Sequence, residues 1–183
     1  MKNVYFIGKA GSGKSTLASA LVMNYGYKSI RFANTLYNLA YDYFKMDKKQ
    51  KDRKLLQIMG TEVGRSINDN IWVNRVLEDV KIVNITASEL NYPEVNFVLD
   101  DCRFKNEYEA LRDNDWIGIY LDIPEDIRLS RLELRDGQVD KARLTHASET
   151  DIDKFKNQAP HIIDASKPLH EVYEEVLHIL GIA

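Results

Sequence analysis

The sequence predicts an α/β domain, a mostly parallel five-stranded sheet with helices on both faces. Three observations carry this. Short apolar runs alternate with helical patterns along the 183 residues. The first run, Val4-Tyr5-Phe6-Ile7, enters a glycine-rich stretch that opens a helix at Leu17-Ala18-Ser19-Ala20-Leu21-Val22. A later run, Asn96-Phe97-Val98-Leu99, ends in two carboxylates, Asp100 and Asp101. Ligands of open parallel sheets gather at such carboxyl ends.

The glycine-rich stretch is Gly8-Lys9-Ala10-Gly11-Ser12-Gly13-Lys14-Ser15, followed by Thr16. It matches G-x-x-x-x-G-K-[ST] at every fixed position, between a strand and a helix as that motif requires. Gly8, Gly11 and Gly13 allow a tight turn in which several N–H groups face one anion. The positive end of the following helix faces the same place. Lys14 brings a point charge to the β- and γ-phosphates, and Ser15 a hydroxyl to Mg²⁺. Residues Gly8, Ala10, Gly11, Ser12, Gly13, Lys14, Ser15 and Thr16 are thus the expected ATP cradle, and the fold is specified as a three-layer P-loop NTPase with a small lid.

Bulk properties narrow the partners. A 44% hydrophobic content suits a globular chain, and a formal charge of -3 gives no global basic field for nucleic acid. The single cysteine, Cys102, cannot close an intramolecular disulfide, which suits a reducing compartment. No apolar run approaches the ~18 residues of a membrane span. The N-terminus enters a strand directly, with no room for a signal peptide. A cytoplasmic protein with no nucleic-acid or membrane partner is expected.

Taken in order, strands are expected near 3–7, 29–33, 96–101, 116–121 and 161–164. Gly26 follows the first helix as a stop. Ile30 to Ala33 reads as extended, and Asn34 or Thr35 caps a helix through Leu36, Leu39, Ala40 and Tyr43. Phe32 and Tyr37 suit either core or substrate. The basic run from Lys45 to Lys54 is either a solvated face or a positive rim for a nucleotide. Leu55-Leu56-Gln57-Ile58-Met59 then forms a helix that breaks at Gly60 and restarts. Arg65 follows Gly64, where backbone can approach a ligand and a guanidinium can fork onto phosphate. Ile71, Trp72, Val76, Leu77 and Val80 continue a helical face, and Ser88 to Glu94 is a loop.

After the third strand, one of Asp100 and Asp101 either faces the metal or caps the next helix. After the fourth, Pro124-Glu125-Asp126 opens a helix on which Arg128, Arg131 and Arg135 share a face. Those arginines either pair with Glu125 and Glu133 or clamp transferring phosphate. Asp136 to Lys141 has the make-up of a lid loop, and Thr145 to Glu149 enters a short helix. His146 is not needed as a base if the acceptor is a phosphate oxygen. A last strand at 161–164 precedes a closing helix with Leu169, Val172, Val176, Ile179 and Leu180. One domain over 1–183 is expected, with a helical region at 33–94 and a lid region at 128–150; if the chain is a kinase, the helical region would bind the acceptor.

In this light the chain resembles the P-loop nucleoside monophosphate kinases, most of all the bacteriophage deoxynucleoside monophosphate kinase family. The resemblance rests on Phe32-Ala33 before Leu36 and on Leu56-Gln57-x-x-Gly60-Thr61-Glu62-x-Gly64-Arg65 with Trp72-Val73 downstream. Asp101-x-Arg103-Phe104-x-Asn106-Glu107 and His146-x-Ser148-Glu149 complete it. It implies Mg-ATP as phosphoryl donor and a deoxynucleoside monophosphate as acceptor. Lys14, Asp101, Arg131 and Arg135 would be catalytic. Arg128 and Arg131 would join the loop around ATP, and Ser15 and Asp101 would serve Mg²⁺. Arg65, Arg103 and Glu107 would serve the acceptor, with Phe32 and Trp72 in its pocket or in the core. A homodimer, and the host cytoplasm for a phage-encoded chain, are further implications. The turn Asp101-Cys102-Arg103-Phe104 replaces the Asp-Gly-Phe-Pro-Arg of adenylate kinases and argues against that enzyme. The rivals are a dephospho-coenzyme A or phosphomevalonate kinase and, from another class, a partner-stimulated P-loop ATPase.

Overall fold

A computed structural model describes residues 2–137 and 151–182. The chain divides into two compact units, one formed by residues 1–29 and 96–183, the other by 30–95.

The first unit carries the sheet. Its strands are β1 (Val4–Ile7), β2 (Lys28–Ile30), β3 (Phe97–Leu99), β4 (Ile117–Asp122) and β5 (His161–Asp164), in the order β2-β3-β1-β4-β5. β1 pairs in parallel with β3 (Val4 with Val98) and β4 (Val4 with Ile117), and β4 in parallel with β5. β1 is central, and all four of its residues are fully buried, as a strand covered on both faces requires. Side chains alternate across it. Val4 and Phe6 enter a core with Leu17 and Leu21 of α1 (Lys14–Tyr25) and Val172 and Val176 of the closing helix, Leu169–Leu180. Tyr5 points the other way, edge-on to Tyr108 of the helix Lys105–Asp113, their ring centres 6.1 Å apart. The three-layer expectation holds.

The Tyr5 hydroxyl is buried with no hydrogen-bond partner among the described residues, and burial pushes its phenol pKa up. An unpaired buried hydroxyl costs free energy that its removal recovers. Tyr5→Phe is therefore expected to leave stability unchanged or raise it by about 1 kcal/mol in thermal melts. A loss of that size would mean that the hydroxyl has a partner.

The second unit is helical: α2 (Phe32–Asp42), α3 (Arg53–Gln57), a π-helical turn (Ile58–Arg65) and α4 (Ile71–Glu89). Here the sequence expectations need three corrections. β2 ends at Ile30 and α2 begins at Phe32, ahead of Asn34 and Thr35; Arg31 is its extended N-cap and makes no side-chain capping bond among the described residues. Gly60 and Gly64 do not break the helix but lie inside the π turn, both buried. α4 runs on to Glu89, past Ser88. It ends where Asn91 takes φ 58° and the Tyr92 N–H reaches the Ala87 carbonyl at 2.8 Å.

The basic run is exposed at its lysines, as the solvated reading requires, but two of them lie on aromatic rings. Lys51 Nζ is 4.6 Å from the centre of Tyr37 and Lys48 Nζ 5.6 Å from Tyr41, and those rings stack on each other. No helix among the described residues is long and apolar enough to cross a membrane. The lid sequence beyond Gly137 and the stretch with His146 lie outside the described residues.

In the first unit, the helix after β3 is α5 (Lys105–Asp113), the helix after β4 is α6 (Glu125–Asp136), and the closing helix is α7 (Leu169–Leu180). A 3₁₀ segment, Asp151–Gln158, precedes β5.

Candidate active site

Parallel pairing of β1 with β3 and β4 brings three strand ends to one edge of the sheet. Tyr5 lies opposite Leu99 and Ile7 opposite Tyr120. Gly8 therefore leaves β1 beside Leu121, and Asp100 and Asp101 leave β3 on its other side. The loop packs so closely here that only glycine fits. A Cβ on Gly8 would lie 2.8 Å from the Leu121 carbonyl oxygen and from Ser12 Oγ. A Cβ on Gly11, whose φ is 88°, would lie 2.9 Å from the Arg128 carbonyl oxygen and 3.1 Å from Leu132 Cγ.

The loop ends in Gly13 at φ 98°, the N-cap of α1. Among the described residues no side chain caps this helix, and its first turn holds no acid. The N–H groups of this helix start and the positive end of the helix dipole therefore lie together. Ser12 is 2% exposed, and its Oγ has no hydrogen-bond partner among the described residues. Lys14 Nζ folds back onto the carbonyls of Gly8 and, at 2.9 Å, Lys9. An ammonium on two backbone oxygens, an orphaned buried hydroxyl and an uncapped helix start form a donor set that suits polyphosphate.

The two oxygen donors expected at a metal both belong to the first unit. Ser15 is exposed at the helix start and Asp101 half-buried after β3. Mg²⁺ at a nucleotide takes one or two protein ligands besides phosphate and water. Burial pushes the Cys102 thiol well up, Glu107 and Asp101 add to this, and Lys14 opposes it. Lys14 and Asp101 thus act on one side chain.

Three further expectations are sharpened by the geometry. Glu107, expected at the acceptor, is 2% exposed, and its Oε2 accepts the N–H groups of Arg103 (2.8 Å) and Phe104 (3.0 Å). This is the return arm of a capping box; Phe104, as N-cap, has no side-chain acceptor to supply the other. An acid three residues after the N-cap was the signal for it. Glu107→Ala is expected to cost about 1–3 kcal/mol, and Glu107→Gln less, because the amide oxygen still accepts both N–H groups without the charge. Chemical denaturation checks this; equal losses for both would point to the charge instead.

The arginines of α6 diverge. Arg128, expected at ATP, is 3% exposed and ion-paired with Glu125, so its charge is taken up within the protein. Arg131 is half-buried, and the exposed Arg135 pairs with its neighbour Asp136 at 2.7 Å.

Beside the loop, Lys9 meets Asp153 of the 3₁₀ segment at 2.7 Å. Asp153 also accepts the Tyr120 hydroxyl at 3.0 Å, and Lys156 pairs with Asp122 at 2.7 Å. Sequence reasoning missed this bracket, because its partners lie 33, 34 and more than a hundred positions apart.

In the helical unit, Trp72 is 7% exposed and its indole N–H donates to the Gly60 carbonyl at 3.0 Å. A Cβ on Gly64 would meet its ring at 2.8 Å, and one on Gly60 would meet Leu36 at 2.9 Å. Gly64, where a Cβ would also meet the Met59 carbonyl oxygen at 2.8 Å, is demanded by packing, whereas the Leu36 side chain at Gly60 can yield. Trp72 braces the π turn that ends in the half-buried Arg65, and Phe32 is buried at the start of α2.

Residues 4–155 match the AAA domain family. The chain belongs to that family. No curated protein matches this AAA domain chain in sequence. Solved structures match it over nearly its full length. A shikimate kinase from Bacteroides thetaiotaomicron has a TM-score of 0.59 at 16% identity, covering 98% of each chain. A sugar kinase from Janibacter sp. HTCC2649 has 0.54 at 17%, covering 100% of this chain and 96% of that one. A gluconokinase from Sinorhizobium meliloti 1021 has 0.55 at 17%, covering 98% and 91%. At such identities the likeness is one of fold, and the fold is that of the P-loop kinases.

Proposed function

We propose that the chain is a kinase that transfers the γ-phosphoryl group of Mg-ATP to a (deoxy)nucleoside monophosphate. The observation that carries this is the uncapped start of α1 behind its glycine loop, with Lys14 Nζ and Ser12 Oγ beside it. The Gly60 to Arg65 stretch supports the acceptor class through its resemblance to deoxynucleoside monophosphate kinases. Bound Mg-ATP supplies the phosphoryl group and the metal's positive charge. Ser15 and Asp101 are the residues that would hold the metal. Loop N–H groups and Lys14 bind the polyphosphate. Arg131 and Arg135 spread the charge of the group in transfer, and Arg65 and Arg103 fix the acceptor phosphate. Such a site works by position and electrostatics, and a phosphate acceptor needs no general base. A cytoplasmic setting and a homodimer belong to the same reading.

A second reading, transfer to a small-molecule hydroxyl, draws on the likeness to sugar, shikimate and gluconate kinases. A hydroxyl acceptor would add a base to take its proton. The test is ADP release from Mg-ATP with each ribo- and deoxyribonucleoside monophosphate, then with shikimate, gluconate and simple sugars. Turnover with a nucleotide is the expected result. Turnover only with a hydroxyl acceptor would replace the first reading with the second.

A further inference from the structure

We infer that the buried Arg128, paired with Glu125, forms a brace that sets the direction of the Gly11 N–H, making Arg128 a positioning residue for phosphate binding. The inference rests on the nucleotide reading above for its consequence, but on geometry for its substance. Arg128 Nε donates to Glu125 Oε2 at 3.0 Å and Nη2 to Oε1, a two-pronged pairing across one turn of α6. The remaining arm, Nη1, reaches the Ala10 carbonyl at 3.3 Å. The Arg128 carbonyl oxygen and Cγ lie where a Cβ on Gly11 would fall, at 2.9 and 3.1 Å. One residue of α6 thus touches two successive loop residues.

A trans peptide is planar, with its C=O and N–H pointing in opposite directions. No cis peptide occurs among the described residues. Holding the Ala10 oxygen toward α6 therefore aims the Gly11 N–H away from α6. If that peptide turned over, a carbonyl oxygen would take the place of the donor and repel an anion. Gly11, without a Cβ and at φ 88°, has a backbone free enough to turn, so the orientation needs an external hold. Arginine suits this, because its planar fork binds a carboxylate with two arms and leaves a third. Glu125 fixes the fork and neutralises it, so the brace adds no loose charge beside the phosphates. α6 forms directly after β4, which borders β1, so sheet and brace share one support.

The test uses the full chain and two readouts. Arg128→Met keeps the stem and removes the fork. Glu125→Gln changes a carboxylate that is more than half exposed, so the fold survives it. The first readout is the Gly11 amide resonance in nucleotide-free protein, expected to move in both variants. The second is affinity for ATP and for inorganic triphosphate by calorimetry. Arg128→Met is expected to weaken both by about tenfold, the effect of losing one charge-assisted hydrogen bond. Glu125→Gln should weaken them less, and the double variant no more than Arg128→Met alone. An unmoved Gly11 resonance in both variants, or effects that simply add, would overturn the brace. Loss of ATP affinity with triphosphate affinity intact would also overturn it, and would place Arg128 on the base. A wild-type chain that binds neither ligand would sink the nucleotide reading instead, with the resonance still deciding the brace.

Discussion

Lys14→Met is expected to lower turnover by about three orders of magnitude while moving the melting midpoint by only about 5 °C or less. The reasoning starts from the position of the ammonium. Nζ rests on the carbonyls of Gly8 and Lys9, so it is held over the loop, with the N–H groups of the α1 start beside it. A charge fixed in place before phosphate arrives needs little reorganisation as negative charge shifts in the transition state. Three orders of magnitude correspond to about 4 kcal/mol, in the range of one preorganised donor in a shielded site. The midpoint should move little because methionine keeps the alkyl stem. ADP release with the best acceptor, beside a circular-dichroism melt, provides the check. Turnover near wild type in a folded variant would remove Lys14, and with it this assignment of the loop, from catalysis.

Trp72→Ala should be the most damaging single change in the helical unit, with a cost of about 3–5 kcal/mol in urea denaturation followed by circular dichroism. Its ring covers Gly64 closely, and its N–H holds the Gly60 carbonyl. Trp72→Phe separates the two contributions: it keeps much of the packing, loses the donor, and should cost about 1–3 kcal/mol. If alanine costs less than phenylalanine is expected to, the brace on the π turn is not structural. On the proposed role of Arg65 at the acceptor, the phenylalanine variant should also raise KM for the acceptor more than it lowers kcat, because that turn ends at Arg65.

What was legible in the sequence followed from rules acting within a few residues. The glycine loop was readable because each fixed position reflects a local demand, a tight turn or a charge at the helix start. The strands showed because β1 is wholly apolar and β3, β4 and β5 run into aspartates or a proline; β2, followed by Arg31 and Phe32, had no such stop. The π turn was hidden: Gly60 and Gly64 look like helix breakers, and only the approach of Trp72 and the Met59 carbonyl shows why glycine is needed at Gly64 in an unbroken helix. Arg128, Arg131 and Arg135 looked equivalent because helical spacing counts turns and says nothing of depth. The early start of α2 was missed because Arg31 carries no capping signal. Glu107 had such a signal in plain view, and the resemblance to an acceptor motif drew attention from it.

The helical unit interrupts the sheet at a single place. The chain leaves β2 at Ile30 and returns at Asn96, ahead of the adjacent strand β3, and the Lys28 N–H meets the Asn96 carbonyl at 2.8 Å. Exit and re-entry are thus stitched together on the first unit's own backbone. A crossover of genes at these two points would exchange everything between them as one cassette. The glycine loop, its arginine brace and four of the five strands would be inherited intact. Novelty in the helical half and continuity in the phosphate-binding half can therefore arise in one recombination.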